Sequence, residues 1–231
     1  MRREERQVDR RAWLDERRAN AEERFDRLYA PTYDEDDIPI SATHRRFVDS
    51  VIESCRPGGS ILDAACGTGR YFEMILAAGR RVVGADQSAG MLAEARRKFP
   101  AVRLEKAGLQ ALRIDGDFDA AMCVDAMENV PPEDWPLVLA NLRDAVSGGQ
   151  VYLTVEEIPD SAVDEAFELA TAAGLPAVRG ETLRGGGYHY YPTVDQVKAW
   201  IQAAGLEIAE EGRSRGSNYG YWHLLMRSAT R

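Results

Sequence analysis

The chain has 231 residues, 45% hydrophobic and 29% charged, which provides for a sizeable core and a soluble surface and excludes whole-chain disorder and collagen-like repeats. Its net charge of −9 runs against the basic face that grips phosphate backbones, and no run approaches the roughly 18 consecutive apolar residues that span a bilayer. Cys55, Cys66 and Cys123 form neither CxxC pairs nor a metal-ligand spacing, so no metal and no disulfide framework is expected. The charged start Met1-Arg2-Arg3-Glu4-Glu5-Arg6 lacks the apolar stretch of a secretory leader, and the cytoplasm is the expected compartment.

Residues 1–24 carry eight arginines against seven acids, interleaved rather than blocked, which reads as a solvated helix and not as a nucleic-acid arm. Leu14, Ala21, Phe25 and Leu28 form an apolar stripe that lays this helix on something larger. The acidic run Asp34-Glu35-Asp36-Asp37 reads as a loop, and residues 1–40 together as a helical cap or lid. A second helix starts after Ser41 or Thr43 and ends near Cys55, before Pro57-Gly58-Gly59. Short apolar runs then alternate with helical stretches. The runs are Ile61–Ala65, Arg81–Asp86, Ala101–Leu104, Phe118–Val124 and Gln150–Val155. The helices between them carry Tyr71, Phe72, Ile75 and Leu76; Met91, Leu92, Ala95 and Phe99; and Trp135 to Val146.

That alternation predicts a doubly wound α/β fold with a mostly parallel, Rossmann-like sheet. The pattern loosens over 159–187, read as a cap insertion in a main domain of 41–231, with helical Ala162–Ala173 and a glycine hinge at Gly185-Gly186-Gly187. A helix follows through Val194, Val197, Ile201 and Ala204. The runs Leu206–Glu210 and Tyr219–Met226 have no helix between them and predict an antiparallel hairpin at the sheet edge.

The strongest chemical signal is Asp63-Ala64-Ala65-Cys66-Gly67-Thr68-Gly69-Arg70, between the first strand and its helix, with Asp86 ending the second strand. Glycines there admit a ligand to the backbone, the helix start offers free N–H groups, and the acid can accept a ribose diol. A dinucleotide fingerprint needs a small residue at position 72, which is Phe. Asp63 would repel a pyrophosphate but suits an ammonium, so a nucleoside cofactor that is cationic and free of phosphate fits: S-adenosylmethionine.

These motifs, with Val83-Gly-Ala-Asp86-Gln-Ser-Ala-Gly-Met91 and Phe118-Asp-Ala-Ala-Met-Cys-Val-Asp-Ala-Met-Glu-Asn-Val130, resemble the class I S-adenosylmethionine-dependent methyltransferases over roughly residues 25–228. The resemblance implies a seven-stranded sheet. It also implies that Asp63, Ala65, Gly67 and Gly69 hold the amino-acid end of the cofactor, Asp86 the ribose, and Gln87 and Met91 the adenine. Val124, Asp125 and Ala126 would lie beneath the sulfonium, and Tyr29 and Tyr33 would close over the carboxylate. Gly108 stands where many members carry an adenine-binding Asp, leaving that contact to the backbone amide of Leu109.

Methyl transfer needs alignment and, for some acceptors, a base. His189 is the first candidate, because its ordinary pKa lies near neutrality; Glu156 and Glu157 end the fifth strand; His44 and His223 are the other histidines. Tyr188 and Tyr190, beside the glycines, read as walls for a small aromatic or cationic substrate. The alternatives are a nucleic-acid or protein methyltransferase, a nucleotide-dependent oxidoreductase and a non-catalytic cofactor-binding module. The first is opposed by the acidic balance and by Asp125-Ala126-Met127-Glu128 in place of an Asn/Asp-Pro-Pro-Tyr/Phe motif, the second by Phe72.

Overall fold

The computed structural model describes residues 8–35, 39–216 and 219–229. Met1–Arg6 and the Asp36-Asp37 half of the acidic run therefore lie outside the described residues. Seven strands form one sheet in the order β3-β2-β1-β4-β5-β9-β8. Here β1 is Ser60–Ala64, β2 Arg81–Asp86, β3 Arg103–Lys106, β4 Phe118–Cys123, β5 Val146–Glu157, β8 Leu206–Arg215 and β9 Gly220–Ser228. The first five are parallel, whereas β9 runs antiparallel to both β5 and β8. The seven strands and antiparallel edge agree with the expected fold class. The third strand starts two residues later than expected: its charged Arg-Leu-Glu-Lys sequence suits a half-exposed sheet edge, which needs backbone pairing more than an apolar run.

Helices cover both faces. On one, α2 (Ala42–Ser54), α3 (Phe72–Ala77) and α4 (Ala89–Lys98) pack on Ile61, Val82, Ala120, Met122 and Tyr152. On the other, α5 (Trp135–Ala145) and α7 (Val194–Ala203) pack on Leu62, Ala64, Ala121, Cys123 and Leu153. Successive residues of β1 and β4 serve opposite cores, which is why these strands read as unbroken apolar runs. Because β1 lies between β2 and β4, its connections leave in opposite directions, opening a crevice at the carboxyl ends of β1 and β4.

The N-terminal helix α1 (Arg10–Arg24) is capped by Asp9, whose carboxylate accepts from Ala12 N at 2.8 Å. It buries Trp13 and Leu14 and continues into a π-helical turn, Phe25–Tyr29. That change of period turns Leu28 outward, 64% exposed, so the stripe read from the sequence ends before it. Polar contacts pin the segment at both ends. Arg10 binds Glu181 (2.9 Å) and Glu133 (2.5 Å), while Asp26 accepts from Ser88 Oγ (2.5 Å) and Gly90 N (2.9 Å) at the start of α4.

The 159–187 stretch holds α6 (Asp160–Ala172) and a two-stranded hairpin, β6 (Glu181–Arg184) with β7 (Gly187–Tyr190). The predicted glycine hinge is the turn of this hairpin. Gly185 and Gly186 adopt φ of 53° and 79°, the left-handed geometry that a tight two-residue turn requires. Among the described residues, no helix is long and apolar enough to cross a membrane.

Candidate active site

A cavity opens at the crevice, and twelve of the fourteen residues expected around the cofactor line it: Tyr33, Asp63, Ala65, Gly67, Asp86, Gln87, Met91, Gly108, Leu109, Val124, Asp125 and Ala126. Gly69 does not reach the wall. Its φ of 83° completes the turn, and a Cβ there would meet the Phe72 ring at 2.7 Å, so its hydrogen lets Phe72 pack. Tyr29 points away as well: it is exposed, packs on Phe25 and receives a hydrogen bond from Arg24.

The carboxylates in this cavity are held in different ways. Asp86 accepts from Gly67 N and Ser88 N, both at 2.8 Å, which ties the glycine loop to the α4 start and fixes its oxygens at the cavity wall. Burial nevertheless raises its pKa. Asp63 is 1% exposed, and its Oδ2 has no hydrogen-bond partner. Burial first, and the charge of Asp86 second, push this carboxyl well above the usual range. An orphaned buried carboxylate oxygen on a cavity wall fits an ammonium and opposes a phosphate.

The loop between them bends through Ala65, at φ 64°, a left-handed conformation uncommon for a residue other than glycine. The segment after Tyr33 closes over this loop. Thr68 Oγ1 donates to Asp34 Oδ1 (2.8 Å), and Lys98 Nζ donates to Asp34 Oδ2 (2.7 Å) and to Thr68 Oγ1 (3.0 Å).

The far end of the cavity is formed by Tyr33, Arg70, Tyr71 and Asp125, which lie close enough to feel one another's charge. Behind it stand residues that the sequence reading left without a role. His44, buried in the first turn of α2, places Nε2 at 3.3 Å from Asp125 Oδ1. Glu128, in the 3-10 turn Met127–Asn129, is 8% exposed and is pushed up to about 8, mainly by burial and secondarily by Asp125 and Glu156. A sequence signal for Glu128 existed, as an acid inside the apolar stretch after the fourth strand; for His44 paired with Asp125, 81 residues away, there was none.

The expected base and substrate walls lie elsewhere. Strand β7 alternates faces, so Tyr188 and Tyr190 point into the core and His189 points the opposite way, stacked on Tyr191. Tyr188 packs edge-on against Trp13 and donates to the buried Glu181 (2.6 Å), while Tyr190 packs on Gly180 and Trp200. None of the three lines this cavity. Glu156 and Glu157 line a separate cleft with Arg179, Tyr191 and Arg215, where Arg213 pairs with Glu157 at 3.1 Å. β9 inserts beside β5 and places Glu156 opposite Tyr221 and Glu157 opposite Gly220.

A family profile described as a methyltransferase domain matches residues 61–149, which span β1 to the start of β5. The demethylmenaquinone methyltransferase of Thermus thermophilus is 34% identical over 185 residues, covering 72% of this chain and 82% of the relative. The chain belongs to the class I S-adenosylmethionine-dependent methyltransferases. The ubiquinone biosynthesis O-methyltransferase of Xanthomonas campestris is 27% identical over 188 residues, 76% of this chain and 72% of that protein. Among solved structures, the magnesium protoporphyrin IX methyltransferase of Synechocystis with bound SAH superposes with a TM-score of 0.69. It is 18% identical and covers 91% of this chain and 99% of that one, a likeness of fold. As a class I methyltransferase, the protein is an enzyme whose methyl donor is S-adenosylmethionine.

Proposed function

We propose that this methyltransferase acts on an oxygen, nitrogen or carbon atom of a small aromatic or cationic molecule, in the cytoplasm. The observation that supports this reading best is the far end of the cavity, where the rings of Tyr33 and Tyr71 stand beside the carboxylate of Asp125. Aromatic faces and a carboxylate favour a flat or positively charged partner and disfavour a polyanion. The cofactor supplies a methyl group already activated by its sulfonium. The chain's own residues would hold the cofactor: Asp63 its ammonium, Asp86 the ribose diol, Gln87, Met91, Gly108 and Leu109 the adenine side, and Val124 to Ala126 the floor near the sulfur. Residues 8–35 would act as the lid, and Tyr33 would close the carboxylate end. Relatives named for quinone precursors are compatible with an aromatic acceptor. Three buried free thiols, Cys55, Cys66 and Cys123, suit a reducing compartment.

Calorimetry with S-adenosylhomocysteine should give micromolar or tighter binding, with NAD(H) inert. Transfer of labelled methyl groups to catechol, dopamine, naphthoquinol and trans-aconitate should favour the first three. Absence of S-adenosylhomocysteine binding, or transfer to trans-aconitate alone, would overturn the reading.

A further inference from the structure

We propose that Asp125 accepts the proton released during methyl transfer and that His44 is the positioning residue that orients the Asp125 carboxylate and shares that proton; this rests on the small-molecule reading above.

Asp125 lies two residues after β4, lines the cavity and is exposed to it. Its backbone is left-handed, φ 53°, which is unusual for a residue other than glycine. Thr154, fully buried on β5, holds it there: Asp125 N donates to Thr154 Oγ1 at 2.8 Å, and that hydroxyl donates back to Asp125 Oδ1 at 3.4 Å. The result is a carboxylate fixed at the carboxyl end of the sheet, beside the floor residues Val124 and Ala126.

His44 approaches the same Oδ1 from behind. Its Nδ1 lies 2.8 Å from Ser41 Oγ, the hydroxyl that caps α2, so the helix start sets the ring's orientation. The elements packed on it bring Asp125 from β4 and Tyr221 and His223 from β9, with ring centroids at 5.0 and 4.6 Å; Arg46 follows it on α2. His223 is committed elsewhere, with Nδ1 at 2.9 Å from Tyr152 Oη and Nε2 at 2.9 Å from Ser214 Oγ. Burial and His44 lower it to about 4, so it stays neutral near pH 7. Within this group His44 is the imidazole that faces Asp125, with Nε2 at 3.3 Å from Oδ1. A carboxylate open to the ligand and backed by a buried histidine can take a proton and spread its charge over two groups. For a hydroxyl acceptor, the O–H proton passes to Asp125, the freed oxygen pair forms the bond to the methyl carbon, and the C–S electrons remain on sulfur.

The test uses the full chain saturated with S-adenosylhomocysteine and ring-13C histidine NMR. Three histidine signals are present, and His44→Asn assigns one of them. In the wild type the His44 signal should titrate higher than in Asp125→Asn, with His223 unmoved. With catechol, Asp125→Asn and His44→Asn should lower kcat by about 10²-fold or more. With 4-nitrocatechol, which ionises near neutrality unaided, the loss should be under tenfold. The acidic limb of the wild-type kcat profile should shift in His44→Asn. A His44 titration indifferent to Asp125→Asn, or equal losses on both phenols, would overturn the proposal. If neither phenol is methylated, the substrate reading fails by itself, and the titration still decides the pair.

Discussion

Glu128→Gln separates burial of a carboxyl from every other pH effect in this protein. Glu128 is 8% exposed; its Oε1 accepts from Asn129 Nδ2 at 3.0 Å, and its Oε2 has no partner. Its pKa rises from the ordinary 4.5 to about 8. The folded state therefore binds a proton that the unfolded state has lost between those values. For a raised pKa, the contribution to stability is whole below about 4.5 and drains away as pH climbs to about 8. At about 1.4 kcal/mol per pH unit, the interval amounts to about 5 kcal/mol at most. The glutamine keeps the bond from Asn129 and puts an unpaired amide where Oε2 was, a loss of about 1–3 kcal/mol that does not change with pH. Urea unfolding of the ligand-free protein at pH 5, 6, 7, 8 and 9 gives both curves. The variant should be less stable than wild type at pH 5, and the difference should close and reverse sign by pH 8 to 9. The other buried acids, Asp63, Asp86 and Glu181, are common to both proteins and cancel in the difference. Parallel curves across this range would refute the assignment of a neutral Glu128.

Asp63→Asn should make the ligand-free protein more stable at pH 7, because it removes a buried carboxyl with an orphaned oxygen, while weakening S-adenosylhomocysteine binding at least tenfold by calorimetry. Asp34→Ala, which releases Thr68 and Lys98, should raise hydrogen exchange over residues 8–35 and reduce the protection that cofactor confers there. His189→Ala should leave kcat and S-adenosylhomocysteine affinity within twofold of wild type, since its ring faces away from the cavity; a tenfold fall in kcat would return it to the site.

The alternation of buried strands with amphipathic helices was legible because β1, β4 and β5 are covered on both faces, so their apolar runs are continuous. The grouping of these residues around one cavity was legible for a related reason: Asp63 to Gly67 and Asp86 to Met91 sit at the ends of consecutive strands, where chain order alone brings them together. The surroundings of Asp125 were not. Their groups come from α2, β4 and β9, joined by contacts across 81 residues and more, and no local pattern encodes them. The 188–190 stretch misled for a different reason. A Tyr-His-Tyr sequence on a strand commits alternate residues to opposite faces, and here Glu181, Trp13 and Trp200 draw the tyrosines inward.

The cavity also shows why a protein of net charge −9 concentrates acids where water is scarce. Asp63, Asp86 and Asp125 line the cavity, and among the described residues Arg70 is the only Lys or Arg in its lining. Burial pushes the Asp63 carboxyl up, and the charge of Asp86 adds to that rise. A ligand with an ammonium and a sulfonium would bring positive charge to these carboxyls, and part of its affinity should come from offsetting them. After transfer the sulfonium has become a neutral thioether, while the three acids remain in place. If these acids hold the donor as proposed, the product should be held less strongly. Lowered ionic strength, which lengthens the reach of these charges, should widen the gap between the two affinities.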